Sequence, residues 1–214
     1  MRKLRFGTAL CTILGFLLPV SAWAIDDFDW TGAYIGVEAG TVNTDSTVDF
    51  SDIDSATLDG RGTLWGVSAG YNQQSGVVVY GVEADAATSN LNDQGDYTEG
   101  LDSLLTLRGR IGLTDGRILY YGTAGIGGGE ANFSTFRDDG KDTPTAAMGS
   151  GFVTGPVMGA GVEYALTDNL TLKTEGLAYR FAELSGTGDT GKGTYDADYK
   201  PSGFVLRSGV NFHF

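Results

Sequence analysis

Apolar residues alternate with polar or small ones through seven segments of about ten residues, with a glycine-rich eighth among them, and this repeat limits the fold more than any other feature of the chain. Successive side chains of a β-strand point to opposite faces, so alternation with period two marks strands with two unlike faces. Ala33, Ile35, Val37 and Ala39 alternate with Tyr34, Gly36 and Glu38. Trp65, Val67, Ala69 and Tyr71 alternate with Gly66, Ser68, Gly70 and Asn72. Val78, Tyr80, Val82, Ala84 and Ala86 alternate with Val79, Gly81, Glu83 and Asp85. Leu105, Leu107, Gly109, Ile111 and Leu113 stand against Thr106, Arg108, Arg110 and Gly112. Met158, Ala160, Val162 and Tyr164 stand against Gly159, Gly161 and Glu163. Leu172, Thr174, Gly176 and Ala178 stand against Lys173, Glu175 and Leu177. Phe204, Leu206, Val210, Phe212 and Phe214 stand against Val205, Arg207, Gly209, Asn211 and His213. The remaining segment, near residues 118–132, is glycine-rich, and its facing stays open.

A soluble sandwich also alternates, so the connections decide. Residues 72–76, 114–117 and 167–169 read as tight turns. Residues 41–61, 90–100, 131–150 and 185–202 read as long polar loops. Short turns on one side and long loops on the other are the pattern of a spanning barrel, and segments of about ten residues suit tilted spanning strands. Three turns and four loops require eight strands with both ends on the turn side. The apolar set carries no charge, as hydrocarbon demands: a charge at mid-bilayer costs about 2–4 kcal/mol. Tyr71, Tyr80, Tyr164, Phe212 and Phe214 gather near the tight turns as an interfacial girdle. The expected fold is an all-β, eight-stranded antiparallel up-and-down transmembrane barrel.

The N-terminus sets the compartment. Arg2, Lys3 and Arg5 precede an apolar run over residues 6–20, followed by Ser21, Ala22, Trp23 and Ala24. This is the order of a secretory signal peptide, with Ala22 and Ala24 as the cleavage signal. The run is too short to span a bilayer as a helix, which needs about 20 residues. Two segments follow: a signal peptide over residues 1–24 and a barrel domain over residues 25–214. The single cysteine, Cys11, leaves with the signal. Losing three basic residues and no acid takes the formal net charge from −13 to −16. So acidic a chain repels nucleic acid.

The stretches WTGAYIGVEAG (30–40), LRGRIGL (107–113), YGTAGIGGG (121–129), GAGVEYALTDNLTL (159–172) and the terminal VLRSGVNFHF (205–214) together resemble one family. They are similar to the small outer-membrane β-barrel proteins of alphaproteobacteria, the porin-family barrels related to OmpA-type and opacity proteins. The resemblance covers most strands and none of the long loops. It implies an eight-stranded barrel in the outer membrane, surrounded by lipid and lipopolysaccharide. It also implies insertion by the barrel-assembly machinery, which reads a C-terminal strand ending in aromatics, here Phe212 and Phe214. Members are abundant surface antigens with structural roles, and some are linked to haem or host-surface binding.

Other motifs carry less. Residues 186–193, GTGDTGKG, fall one residue short of a phosphate-binding loop: Gly193 stands where Ser or Thr would hold magnesium, and no helix pattern follows. Gly159-Ala160-Gly161 and Gly125-Ile126-Gly127 lack the third glycine of a dinucleotide fingerprint. The pairs Asp52 with Asp54 and Asp196 with Asp198 lack the glycine turn and bidentate glutamate of a calcium loop. The sole histidine, His213, sits at the turn side of the last strand, away from surface substrates, so no catalytic, cofactor or metal site is expected.

The inward face holds both signs: Glu38, Glu83, Asp85, Glu163 and Glu175 against Arg108, Arg110, Lys173 and Arg207. Charges in a narrow lumen are costly unless paired. Register places Glu163 opposite Lys173, Glu38 near Arg207, and Glu83 or Asp85 near Arg108 and Arg110. The expectation is an ion-pair network that occludes the bore, with small water-filled cavities above and below. The leading function is a structural outer-membrane protein displaying acidic extracellular loops. The alternatives are a narrow channel for ions or small solutes, and an adhesin or haem-binding protein acting through a host-surface or small-molecule ligand at its loops.

Overall fold

The structure, a computed structural model, describes residues 27–50, 53–91, 98–101, 103–137, 145–182, 184–189 and 194–214. Side chains are described for residues 27–44, 60–90, 103–130, 151–182 and 201–214. The expected signal segment with Ala22 and Ala24, Asp52 of one acidic pair, and residues 190–193 of the glycine-rich loop lie outside the described residues.

The strands in chain order are β1 (Gly32–Phe50), β2 (Ile53–Ser75), β3 (Val78–Leu91), β4 (Thr98–Leu101), β5 (Ser103–Asp115), β6 (Ile118–Arg137), β7 (Thr145–Ala165), β8 (Leu170–Arg180), β9 (Leu184–Asp189), β10 (Thr194–Lys200) and β11 (Ser202–His213). Eight of them form the wall, each antiparallel to the next, in the order β1-β2-β3-β5-β6-β7-β8-β11, and β11 closes on β1. The short β4, β9 and β10 lie at the far ends of β5, β8 and β11, pairing with β6, β7 and β1 above the wall.

Closure sets the width of the bore. The register runs from Gly32 through Asn72, Gly81, Arg110, Thr123, Gly159, Leu177 and Val205 and returns to β1 at Val42. The offset from Gly32 to Val42 is a shear of ten over eight strands. At a rise of ~3.3 Å and a strand spacing of ~4.8 Å this means a tilt of about 40° and a backbone radius of about 8 Å. Side chains from opposite walls therefore meet at the axis.

The seven alternations face as their parity dictates. Ile35, Val37, Val67, Val82, Leu107, Ile111, Met158 and Leu206 are exposed on the outer face, while Tyr34, Glu38, Glu83, Arg108, Glu163 and Arg207 are buried in the bore. The glycine-rich β6 has Leu119, Tyr121 and Thr123 inward and Tyr120, Ala124 and Ile126 outward. Tyr71, Tyr80, Tyr164, Phe212 and Phe214 ring the turn side of the outer face, and Trp65, Phe152 and Phe204 are exposed nearer the other rim. Inward glycines make room for large neighbours: a Cβ at Gly161 would lie 2.6 Å from the Tyr121 hydroxyl.

Two sets of expected boundaries shift. The turns are tighter than the sequence suggests, because the ladder continues through Ser75 and through Asp115. Gly76 and Gly116, each with φ of +61°, open the two-residue turns, the conformation that glycine adopts at least cost. The segments expected as loops over residues 41–61, 131–150 and 185–202 are largely paired strand: Thr47 faces Thr57, Phe136 faces Ala146 and Asp196 faces Thr187. Ladder hydrogen bonds need no apolar side chains. The loss of alternation therefore marks where the wall leaves the hydrocarbon, not where the strand ends.

Candidate functional site

The site is the filled bore, and it has three levels. At the turn side, Phe28 and Trp30 from the segment ahead of β1 pack with Val79, Leu119, Tyr121 and Ala165. At the far side, Val42, Leu64, Leu104, Val153, Val157, Leu177, Tyr179, Phe181 and Val205 are all buried inward. Between these apolar levels lie nine charged side chains, five carboxylates and four cations, none more than 6 % exposed.

Register assembles part of this charged level. Glu83 on β3 faces Arg108 on β5, and their side chains meet at 2.5 Å. Arg207 on β11 faces Glu175 on β8 in the same way and lies beside Glu38 of β1 across the closing seam, whereas the Lys173–Glu83, Arg108–Glu175 and Arg207–Asp85 bonds cross the bore. Lys173 on β8 reaches Glu83 at 3.1 Å and Glu38 at 3.3 Å. Arg207 on β11 contacts Glu38 and Asp85 and holds Glu175 at 2.7 Å. Arg108 also reaches Glu175 on β8 at 3.0 Å and Asp85 at 3.2 Å. Hydroxyls complete the shell: Thr106 donates to Asp85 and accepts from Arg108 Nε at 2.8 Å.

Arg110 binds Glu163 at 2.8 Å and lies 4.0 Å from the Tyr121 ring centre. Tyr34 accepts from Arg110 at 2.9 Å and donates to Glu83 at 2.7 Å. Tyr121 donates to Glu175 at 3.0 Å. Glu163 also accepts from Thr171 at 2.5 Å and from Asn211 at 2.6 Å. His213 lies 3.5 Å from Glu163, stacks on Tyr34, and meets Phe28 and Trp30 edge-on. The turn-side and charged levels are thus tied to one another through Tyr34, Tyr121 and His213.

All nine sequence-predicted charged residues come together, but one partnership differs from expectation. Glu163 does face Lys173 in register, yet Glu163 pairs with Arg110 and Lys173 with Glu38 and Glu83. Register fixes only where the Cα atoms lie. In a bore of about 8 Å radius the long lysine chain reaches the opposite wall. Apolar side chains occupy much of both levels, above and below the charged one. The upper level was foreshadowed where alternation lapses and both parities are apolar, as at Leu104-Leu105, Val157-Met158 and Val205-Leu206. The lower plug was foreshadowed by Phe28 and Trp30, two large aromatics spaced by aspartates just after the expected cleavage site.

Residues 9–212 match the family described as outer membrane protein beta-barrel domain. The chain belongs to that family. It is 32 % identical over 213 residues to the 31 kDa outer-membrane immunogenic protein of Brucella melitensis, covering 90 % of this chain and 83 % of that one. It is 33 % identical over 186 residues to the 22 kDa outer membrane protein of Rhizobium leguminosarum, covering 86 % and 78 %. Among solved structures, the outer membrane protease OmpT from Escherichia coli superposes with a TM-score of 0.52 over 86 % of this chain and 97 % of that one. At 10 % identity this likeness is one of fold alone. This outer membrane β-barrel protein therefore resides in the outer membrane, its apolar outer face in lipid.

Proposed function

We propose that the protein is a structural, non-conducting scaffold of the outer membrane that carries paired, acidic hairpins above the bilayer. One observation carries this reading: ion pairs cross the bore between two apolar levels. A permeating ion would have to break the Lys173–Glu83 and Arg207–Asp85 contacts and then pass levels filled mainly by apolar side chains. The cross-bore bonds join strands three and four places apart around the wall, so they brace the barrel against flattening. His213, its only imidazole, is buried among Phe28, Trp30 and Tyr34 and lacks the access that a general base needs, which supports a non-enzymatic role without a cofactor. Lipopolysaccharide surrounds the hairpins, the barrel-assembly machinery reads Phe212 and Phe214, and the mature chain begins at Ile25. The names of the Brucella relatives, immunogenic outer-membrane proteins, support surface display.

Planar-bilayer recording of the purified protein tests the scaffold reading. The expected record shows no stable single-channel steps. Large, long-lived currents from the unmodified protein would overturn it in favour of the narrow-channel alternative.

A further inference from the structure

Residues 27–31 are not part of the wall: the strand ladder starts at Gly32. Two backbone donors of this segment go to side chains, Trp30 N–H to Gln74 Oε1 and Thr31 N–H to Asp29 Oδ1, both at 2.9 Å. Gly32 has φ of +145°, in a region that L side chains rarely adopt, and there the chain turns from β1 across the mouth of the bore. Phe28 and Trp30 point in, while Asp27 and Asp29 point out. The segment is clipped at two places on the rim. Trp30 Nε1–H donates to Thr114 Oγ1 at 2.8 Å, beside the β5–β6 turn. Gln74 N–H donates to Thr31 Oγ1 at 3.1 Å, beside the β2–β3 turn.

We propose that residues 27–31 form a displaceable stopper, hinged at Gly32, that opens and closes the periplasmic mouth while the wall stays intact. Swinging it out breaks three hydrogen bonds to Gln74 and Thr114 on the rim and exposes two aromatic rings, but breaks no strand-to-strand ladder bond. Such a segment opens locally, by a route cheaper than global unfolding. Opening uncovers His213, Tyr121 and the Arg110–Glu163 pair beneath them. The layer of Arg108, Lys173 and Arg207 stays in place, so the result is a periplasmic vestibule and not a through-channel. This adds a moving part to the scaffold and does not depend on it: bilayer currents test one, hydrogen exchange the other.

The test uses the Trp65→Phe protein purified from the outer membrane, in which Trp30 is the reporter. NMR follows exchange of the Trp30 indole N–H against deuterium, alongside the amides of the β1–β11 ladder. The indole should exchange about tenfold faster than those amides or more. Gln74→Ala deletes the Oε1 acceptor of Trp30 N–H, together with its own side-chain bond to Gly76 O in the β2–β3 turn, and leaves the strand ladder and the charged level in place. It should speed indole exchange by about fivefold and leave the ladder amides unchanged. If indole and ladder exchange together in either protein, or Gln74→Ala leaves the indole rate unchanged, the stopper does not move independently and the proposal fails.

Discussion

Arg108→Ala removes the most connected cation of the bore. Its guanidinium reaches Glu83 at 2.5 Å, Glu175 at 3.0 Å and Asp85 at 3.2 Å, and its Nε donates to Thr106. The side chain is fully buried. After truncation Glu83 keeps Lys173 and Glu175 keeps Arg207, but the charged level loses one of four cations against five carboxylates. Breaking a buried pair from one side costs about 3–5 kcal/mol, because the stranded carboxylates have no water to turn to. With a urea slope of ~2 kcal/mol/M, the unfolding midpoint should fall by about 1.5–2.5 M. Equilibrium unfolding of the barrel in lipid vesicles, read by tryptophan fluorescence, measures it. Arg117→Ala is the control. Arg117 meets Asp168 at 3.1 Å on the turn-side rim, where Asp168 is largely exposed, so its loss should cost about 0–1 kcal/mol. A double-mutant cycle of Arg108→Met with Glu83→Gln should return a coupling of about 1–3 kcal/mol. If Arg108→Ala costs no more than Arg117→Ala, the charged level does not brace the barrel and the energetic argument is wrong.

Three further outcomes follow from the wall and its ends. Gly161→Ala should destabilise by about 1–3 kcal/mol, because its Cβ would press on the Tyr121 ring, whereas at Gly109 the nearest atom lies 3.9 Å away and alanine should be neutral or slightly stabilising; thermal or urea midpoints distinguish them. Deleting Phe214 removes an amide that donates to Ala33 O at 3.0 Å across the closing seam; outer-membrane abundance should drop on immunoblots, and unchanged abundance under strong expression would count against an assembly role. Mass spectrometry of the protein from outer membranes should find Ile25 as the first residue, and a mass that retains residues 1–24 would refute cleavage after Ala24.

The sequence alone determined the topology of the wall. Period-two alternation fixes which side chain faces lipid and which faces the bore, so Ile35 and Leu107 could be separated from Glu38 and Arg108 without coordinates. Turn chemistry at Gly76 and Gly116 fixes which strands are neighbours. Neither source says how high one strand stands against the next after a full circuit. That height is the shear, a global property of closure, and it decides which inward residues share a level and how wide the bore is. Glu83 with Arg108 was legible because neighbours in register are local partners. Lys173 with Glu83 and Arg108 with Glu175 were not, because those pairs span the axis and follow from a radius that only the closed barrel defines. The stopper escaped for a related reason: Phe28 and Trp30 lie before the first strand, where no period governs direction, and only the mouth formed by Val79, Leu119, Tyr121 and Ala165 gives them a place to go.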